Sequence, residues 1–504
     1  ARQAALSPAG SFIVQAPAGS GKTELLTCRF LKLLKGVHSP EQVIALTFTR
    51  KAASEMRDRV LSMLERCCDQ LAAGKVLPVS WWQDAQDVLA RDKQYQWQLL
   101  AYPFRLKIMT FDALCQGVVR ATAGHSPTGE DNWLAEAEIA RYPERFYLQA
   151  AIEGFQEALE TPELQPALLC LVQHLDNRLD VLQQLGSALL RSRDQWLGVL
   201  YAAKTYSKAS VEAALAHLQQ QGLCRLVSSI PVDCWNRLQA LSARVALHSP
   251  QWEALAHWQR DALTFAQAQL LTQRLLTTQH TLRKRWDHHV GLKRELFEAA
   301  VWQEIKEEST ALLAQLAETP GCEAALEAFM QIPSADYEAR QWEVLQALLQ
   351  LLPRLVAHLK LIFRQDNQTD FIEIALAALE ALGQDEQPTE LALSLDQTIA
   401  HLLIDEFQDT SWVQFELLKR LTAGWQGDSD RSVLVVGDPM QSIYRFRQAE
   451  VGLFLKVQAE GLGDLPLTPL YLTANFRSAS PLVAWVNQRM QSIFPARPDM
   501  AQGA

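Results

Sequence analysis

Ala16-Pro17-Ala18-Gly19-Ser20-Gly21-Lys22-Thr23 follows the apolar run Ser11-Phe12-Ile13-Val14-Gln15 and opens a helical pattern. Two glycines let the backbone curl so that successive N–H groups face inward. The positive end of the following helix adds to them, and together they make a cradle for phosphate oxygens. In such a loop Lys22 reaches terminal phosphates as a point charge, and Thr23 offers its hydroxyl to Mg²⁺. The strict pattern begins with Gly; Ala16 stands there instead, and a small residue suffices. Strand, Gly-rich loop and helix in this order predict an α/β fold with a parallel sheet.

The alternation continues on both sides of a long interruption. Val43-Ile44-Ala45-Leu46-Thr47 and Lys107-Ile108-Met109-Thr110 read as buried strands separated by amphipathic segments. Leu402-Leu403-Ile404-Asp405, Val433-Leu434-Val435-Val436 and Leu470-Tyr471-Leu472-Thr473 resume the pattern. Between them Leu, Ala and Gln dominate, and apolar residues recur at helical spacing, as in Leu345-Leu348-Leu349-Leu352. No fixed repeat period supports a solenoid. The expected organisation is one α/β domain, residues 1–122 and 396–494, interrupted by an all-helical insertion over 123–395, with 495–504 an exit linker. Ala1 in place of Met suggests a segment of something longer.

Composition excludes little else. The chain has 504 residues, 48% of them apolar and 21% charged, and a formal net charge of −10. A global basic footprint for nucleic acid is absent, although a local basic groove is compatible with that total. Apolar runs are interrupted by Gln, Pro or Arg, so no membrane span is expected. Eight cysteines form no C-x-x-C pair, and reduced thiols with a cytoplasmic location fit best.

A second site element is Asp405-Glu406 at the end of its apolar strand, followed by Phe407-Gln408-Asp409-Thr410. One carboxylate there can hold the Mg²⁺ water shell, and its neighbour can orient an attacking water. Further stretches stand in order along the chain: Thr47-Phe48-Thr49-Arg50-Lys51-Ala52-Ala53, Met109-Thr110-Phe111-Asp112-Ala113-Leu114-Cys115, Val436-Gly437-Asp438-Pro439-Met440-Gln441-Ser442-Ile443-Tyr444-Arg445-Phe446-Arg447, and Leu472-Thr473-Ala474-Asn475-Phe476-Arg477-Ser478. With Gln3 and the phosphate loop, this set resembles the superfamily 1 DNA helicases of the UvrD/Rep/RecB type, and among them the AddA-like helicase-nucleases. Arg50 replaces the family's usual Asn, and Ala113 its usual Ser. The resemblance covers the two α/β stretches tightly and places little over 123–395.

The resemblance implies a RecA-like P-loop ATPase that hydrolyses ATP with Mg²⁺. It assigns Lys22 and Thr23 to phosphate and metal, Asp405 to metal, Glu406 as general base, Gln441 as γ-phosphate sensor and Arg477 as the charge-neutralising arginine. The nucleotide would lie on Ala16, Pro17, Ala18, Gly19, Ser20, Gly21, Lys22 and Thr23, with Phe476 stacking on adenine and Gln3 hydrogen-bonding it. Single-stranded DNA, or a single-strand/duplex junction, would meet Phe48, Thr49, Arg50, Thr110, Phe111, Tyr444, Phe446 and Arg447. Aromatic stacking beside basic residues suits that task, although Tyr444 and Phe446 fit a core as well.

The implied activity is a motor moving 3′ to 5′, in double-strand-break repair and recombination, beside a partner subunit with nuclease activity. A second RecA-like domain and a nuclease domain are not in these residues, so the fragment is expected to bind and hydrolyse ATP poorly. The competing classes are a non-motor P-loop ATPase and a DNA-binding module with a vestigial ATP site. Arg283-Lys284-Arg285-Trp286, with His288, His289, Lys293 and Arg294, is the densest basic patch of the insertion and fits either a DNA contact or a solvated face. The two histidines lack further ligands in the sequence nearby, so no metal is expected there.

Overall fold

A computed structural model describes residues 1–122, 133–202, 207–319, 321–384, 387–426, 430–442 and 452–490. Six strands are β1 (Phe12–Gln15), β2 (Val43–Thr47), β3 (Lys107–Thr110), β4 (His401–Ile404), β5 (Ser432–Gly437) and β6 (Thr468–Tyr471). They form one parallel sheet in the order β6-β1-β5-β4-β2-β3. Every residue of β2, β4 and β5 is buried, as a parallel sheet covered on both faces requires.

Side chains alternate between two cores. Val14, Val43, Ala45 and Val436 point to a layer built from helices α2 (Lys22–Leu34) and α3 (Arg50–Ala72), through Leu26, Phe30, Val60 and Leu64. Ile13, Ile44, Leu46, Ile404 and Val435 point the other way, to Phe111, Val118, Phe415 and Phe454. Because the strands are parallel, their carboxyl ends share one edge, where ligands of such sheets bind.

The described residues divide into two compact units. One comprises Ala1–Ala202 and Gln346–Leu482; the other contains 207–345 and 483–490. The sheet's unit therefore takes in residues 133–202 and 346–395 as well as 1–122 and 396–482. The stretch expected to be all-helical also carries two small strand pairs, Glu138–Ile139 with Gln368–Thr369 and Gly383–Gln384 with Gln387–Pro388. Among the described helices, Ala339–Gln365 alone is long and apolar enough to cross a membrane, yet Leu351, Leu355, Leu359 and Phe363 along it are buried. The second unit packs its helices around Trp235, Trp252, Trp258 and Trp286. All eight cysteines are free thiols.

Two buried polar clusters brace the sheet's unit. Arg29 of α2 is fully buried and donates to the carbonyls of Ala5 (2.7 Å) and Gly10 (2.9 Å) and to Ser432 Oγ (3.2 Å). The N-terminal turn is thereby tied to the start of β5. His401 Nδ1 lies 3.0 Å from the same Ser432 hydroxyl, and burial, then the Arg29 charge, push its pKa down to about 4. The second cluster centres on Arg193, fully buried against Asp370 (2.6 and 2.9 Å) and Glu373 (3.2 Å). Tyr147 Oη donates to Asp370 (2.6 Å), and Asp370 caps helix Phe371–Ala381. Burial works against the Asp370 carboxylate, but the guanidinium and these hydrogen bonds outweigh it and hold its pKa below the usual value.

Removing one partner of a buried ion pair strands the other, at a cost of about 3–5 kcal/mol. Arg193→Met is accordingly expected to lower urea stability by that amount, and a change within error would refute the bracing role. His401 gives a pH signature. Its unfolded pKa is about 6.5, so the stability tied to the neutral ring is complete above that value and is lost as pH falls toward about 4. His401→Asn should remove about 3 kcal/mol of that pH dependence; urea melts of equal slope against pH would contradict it.

Candidate nucleotide site

The site is built from the loops that leave the carboxyl ends of the strands. After β1, Ala16 N–H continues the ladder to Gly437 O (2.9 Å), and its methyl is fully buried, so the residue in place of the strict pattern's Gly fills core space. Gly19 and Gly21 both adopt φ of 80°, a region that costs a side chain strain. A Cβ on Gly19 would lie 2.6 Å from Asn475 Oδ1 and 2.9 Å from Arg477 Cβ. Gly21 caps α2, so the loop leads directly into the helix's positive end. Ser20 Oγ is buried without a hydrogen-bond partner, an orphan that suits a loop shaped to receive polar ligand atoms.

Opposite the loop stands the end of β4. Lys22 Nζ lies 3.0 and 2.9 Å from the two Glu406 carboxylate oxygens. Glu406 has φ of 52°, left-handed strain in a non-glycine residue of the kind that persists where surroundings over-determine it. Gln408 Nε2 donates to Glu406 Oε2 (2.8 Å), while Gln408 Oε1 accepts from Asp438 N–H (2.9 Å). Asp438 accepts in turn from Gln441 Nε2, and Ser442 Oγ donates to Asp409 (3.0 Å). Gly437 has no room for a Cβ, which would fall 2.6 Å from Gln408 Oε1. Burial, then the Glu406 charge, raise the Asp405 pKa to about 7; burial raises that of Asp409 to about 6. A divalent cation beside Asp405 would relieve that penalty, and Thr23 and Asp405 supply the oxygen ligands Mg²⁺ prefers.

After β6 the chain turns back onto the loop. Asn475 Nδ2 donates to Ala18 O (3.2 Å), and Phe476 N–H to Gly19 O (2.8 Å). The result is a cavity of about 400 Å³ lined by Ala18, Gly19, Gly21, Lys22, Thr23, Glu24, Arg59, Glu406, Gln441, Phe476 and Arg477. Lys22, Arg59 and Arg477 give it three cationic side chains, enough to meet a polyphosphate.

Most of the residues expected at a nucleotide are thus brought together. Pro17 and Gln3 are exposed, and with Ala16, Ser20 and Asp405 they lie outside the cavity's lining. The strand-binding set fares differently. Arg50 and Thr49 are exposed at the start of α3, with Thr49 Oγ1 capping it through Ala52 N–H (3.1 Å), and Phe48 is half-buried. Phe111 is only 4% exposed and belongs to the core, and Thr110 is 7% exposed with its hydroxyl accepting from Ala113 N–H (3.2 Å). Both stand where β3 passes into helix Phe111–Thr122, the ring packed in the sheet's second core and the hydroxyl engaged at the helix start. Tyr444, Phe446 and Arg447 lie outside the described residues.

Reading by motif missed Arg59, nine residues into the α3 helix that Arg50 opens, and the bridging roles of Gln408, Asp438 and Asn475. The last three stood inside quoted motifs, but their partners are distant in sequence. In the second unit, Trp286 is 3% exposed against Trp252, with ring centroids 4.7 Å apart, so the tryptophan of the basic patch is packed rather than free. Asp287 brings its carboxylate within 4.8 Å of ligand atoms of His288 and His289. However, Arg285, Lys293, Arg294 and Lys306 line the same cavity and oppose a cation.

Sheet, loop and opposing carboxylates define a RecA-like P-loop nucleotide-binding fold. The chain belongs to the UvrD/REP helicase family: the model of the UvrD/REP helicase N-terminal domain matches residues 1–460. Relatives include an ATP-dependent helicase/nuclease subunit of Desulfitobacterium hafniense, 27% identical over 97% of this chain and 35% of that protein. The like-named subunit of Pelotomaculum thermopropionicum is 26% identical over 98% and 38%, and that of Bacillus cereus 24% over 94% and 37%. The chain spans about a third of the length of these curated relatives.

Gly19→Ala tests the geometry directly. Its Cβ would displace Asn475 and Arg477, so affinity for ATP should fall at least about tenfold, the effect of about 1.4 kcal/mol. Equilibrium titration with unchanged affinity would show that this turn does not shape the site.

Proposed function

We propose that this chain is the ATP-binding portion of a DNA helicase and translocase motor, working with ATP and Mg²⁺ inside a helicase-nuclease that acts in double-strand-break repair and recombination. Residues 1–122 and 396–494 would be its RecA-like domain and 123–395 the insertion. The observation that carries the reading is one cavity that collects Lys22, Glu406, Gln441, Phe476 and Arg477 from strands far apart in the chain.

The chemistry follows from what those groups do. Loop amides and Lys22 hold the phosphates, and Lys22 must leave Glu406 to do so. The freed carboxylate then accepts a proton from the attacking water. Arg477 neutralises charge developing on the γ-phosphate. Thr23 and Asp405 would hold Mg²⁺, which supplies charge neutralisation on the phosphate oxygens. Gln441 is linked through Asp438 and Gln408 to Glu406. Loss of the γ-phosphate is thereby felt along the segment that leads toward Tyr444, Phe446 and Arg447. Stacking of bases there and at Phe48, beside Arg50 and Thr49, would move single-stranded DNA 3′ to 5′, feeding a single-strand/duplex junction. A cytoplasmic location and a partner protein with nuclease activity complete the proposal. A vestigial ATP site is disfavoured by the intact Lys22–Glu406 pair.

The test is ATPase activity of the full-length protein with and without single-stranded DNA. Lys22→Ala should reduce turnover by about 10²–10³, as loss of a transition-state donor does. Gln441→Ala should leave ATP affinity within about twofold while abolishing stimulation by DNA, because the severed link costs coupling rather than binding. Stimulated turnover that survives Gln441→Ala would overturn the coupling.

A further inference from the structure

Another cavity, of about 520 Å³, opens where the strands begin, at the edge of the sheet opposite the nucleotide site. Its volume falls within the range of small-molecule sites, about 300–1,000 Å³. The end of α2 forms one wall, through Lys32, Leu33 and Lys35. Helix α4 (Trp82–Tyr95) forms another, through Asp87 and Arg91. Pro8, beyond the N-terminal turn α1 (Arg2–Ala5), and His401, the first residue of β4, complete the lining used here.

His401 supplies a directed donor. Its side chain is 7% exposed, and Nδ1 lies 3.0 Å from Ser432 Oγ. That hydroxyl accepts from Arg29 (3.2 Å), and a guanidinium can only donate. The hydroxyl's own proton is therefore left for His401 Nδ1, which must be the bare nitrogen of the ring. The ring is neutral, since burial and then the Arg29 charge push its pKa down to about 4. Its single N–H consequently sits on Nε2, which meets no hydrogen-bond partner among the described residues. A donor so deeply placed and unmet calls for an acceptor.

Arg91 is held ready beside it. Nε donates to Lys35 O (2.8 Å), Nη1 donates to Tyr95 Oη (3.0 Å), and Tyr95 stacks on Trp97. These partners are all neutral, so the guanidinium keeps an uncompensated charge. Lys35 is instead tied to Asp84 (2.8 Å) and Asp87 (3.5 Å), and Lys32 stands 4.0 Å from Asp84. Lys32, Lys35 and Arg91 thus face two carboxylates, Asp84 and Asp87, which leaves one positive charge in excess. The negative end of α2 lies here too. The balance favours one negative charge and opposes a second. Pro8 and Leu33 add apolar surface next to these groups.

From this arrangement we infer that the cavity binds the carboxylate of a small acid with an apolar body, its oxygens held by Arg91 and the His401 Nε2–H, with Lys32 adding charge. The same chemistry is offered by a free short-chain acid and by the C-terminal residue of a peptide. The site stands apart from the nucleotide reading and does not depend on it.

The test is calorimetric titration of the 504-residue chain with isovalerate, N-acetylleucine, N-acetylleucine amide and inorganic phosphate. Saturable binding is expected for a carboxylate and none for the amide. Phosphate should bind at least about tenfold more weakly, because its second charge meets Asp84, Asp87 and the helix end. Tighter binding of isovalerate would identify a free acid as the ligand, and tighter binding of N-acetylleucine a peptide end; either supports the site. Arg91→Met, at a part-exposed position that tolerates the change, should weaken the carboxylate about tenfold, the worth of one charge-assisted hydrogen bond. His401→Asn should do the same, since it keeps a polar atom for Ser432 but has none at the Nε2 position. His401→Gln carries an amide N–H near that position and should stay within about threefold of wild type. Absence of saturable carboxylate binding, equal binding of the amide, or phosphate bound as tightly as the carboxylate would overturn the inference. So would unchanged affinity in Arg91→Met and His401→Asn. Equal losses in His401→Asn and His401→Gln would overturn the ligand contact and make His401 a support for Ser432 alone.

Discussion

Lys22 and Glu406 touch across 384 residues of chain, and that contact depends on a parallel sheet whose strands all end at one edge. β1 pairs with β5 and β6, β5 with β4, and β4 with β2. Each loop that follows a strand therefore opens onto the same rim. In an antiparallel sheet the same segments would scatter to both edges. The sheet's two apolar cores hold this alignment, because a one-residue slip would turn Ile13 and Val14 toward each other's layers.

The rim is joined by a chain of polar contacts rather than by proximity alone. Gln408 is its pivot, donating to the Glu406 carboxylate and accepting from the Asp438 N–H. Its side chain is 1% exposed, so a break in either contact would leave a buried amide unsatisfied, which costs more than the bond itself contributes. Gly437 makes room for it: a methyl group there would meet Gln408 Oε1, the Phe454 ring and the Phe407 N–H together. The strain at Glu406, with its left-handed backbone, sits inside this tightly determined set. The same contacts join Glu406 to Asp438 and to Gln441 beyond it.

Much of this was legible in the sequence because buried parallel strands are continuous apolar runs. The six runs read as strands match the observed ones to within about two residues. The phosphate loop and the two carboxylates were legible for a related reason: each is a contiguous motif tied to a strand end. Residues whose role depends on a distant partner were not legible. Phe111 looked like a base platform, but the helix it opens packs against the second face of the sheet, so its ring is core. Trp286 looked like part of a basic patch, and its ring is buried on Trp252. Arg59 carries no motif and reaches the cavity from the α3 helix.

The long segment between β3 and β4 raises the question of how a sheet tolerates such an interruption. Loop-closure entropy grows only slowly with length, so added length alone costs the sheet little. What matters is that the chain leaves and returns at a defined place. Arg193 lies in helix Arg193–Ala202, which ends where the first unit's first segment ends, and Asp370 and Glu373 lie soon after the chain re-enters that unit. Their buried ion pairs, with Tyr147 and Lys360 added, clamp the outgoing and incoming strands of chain to the sheet's unit. Since a buried pair stabilises little relative to an apolar substitute, its worth here is geometric. It ties the chain that leaves β3 to the chain that returns to β4 within the sheet's own unit.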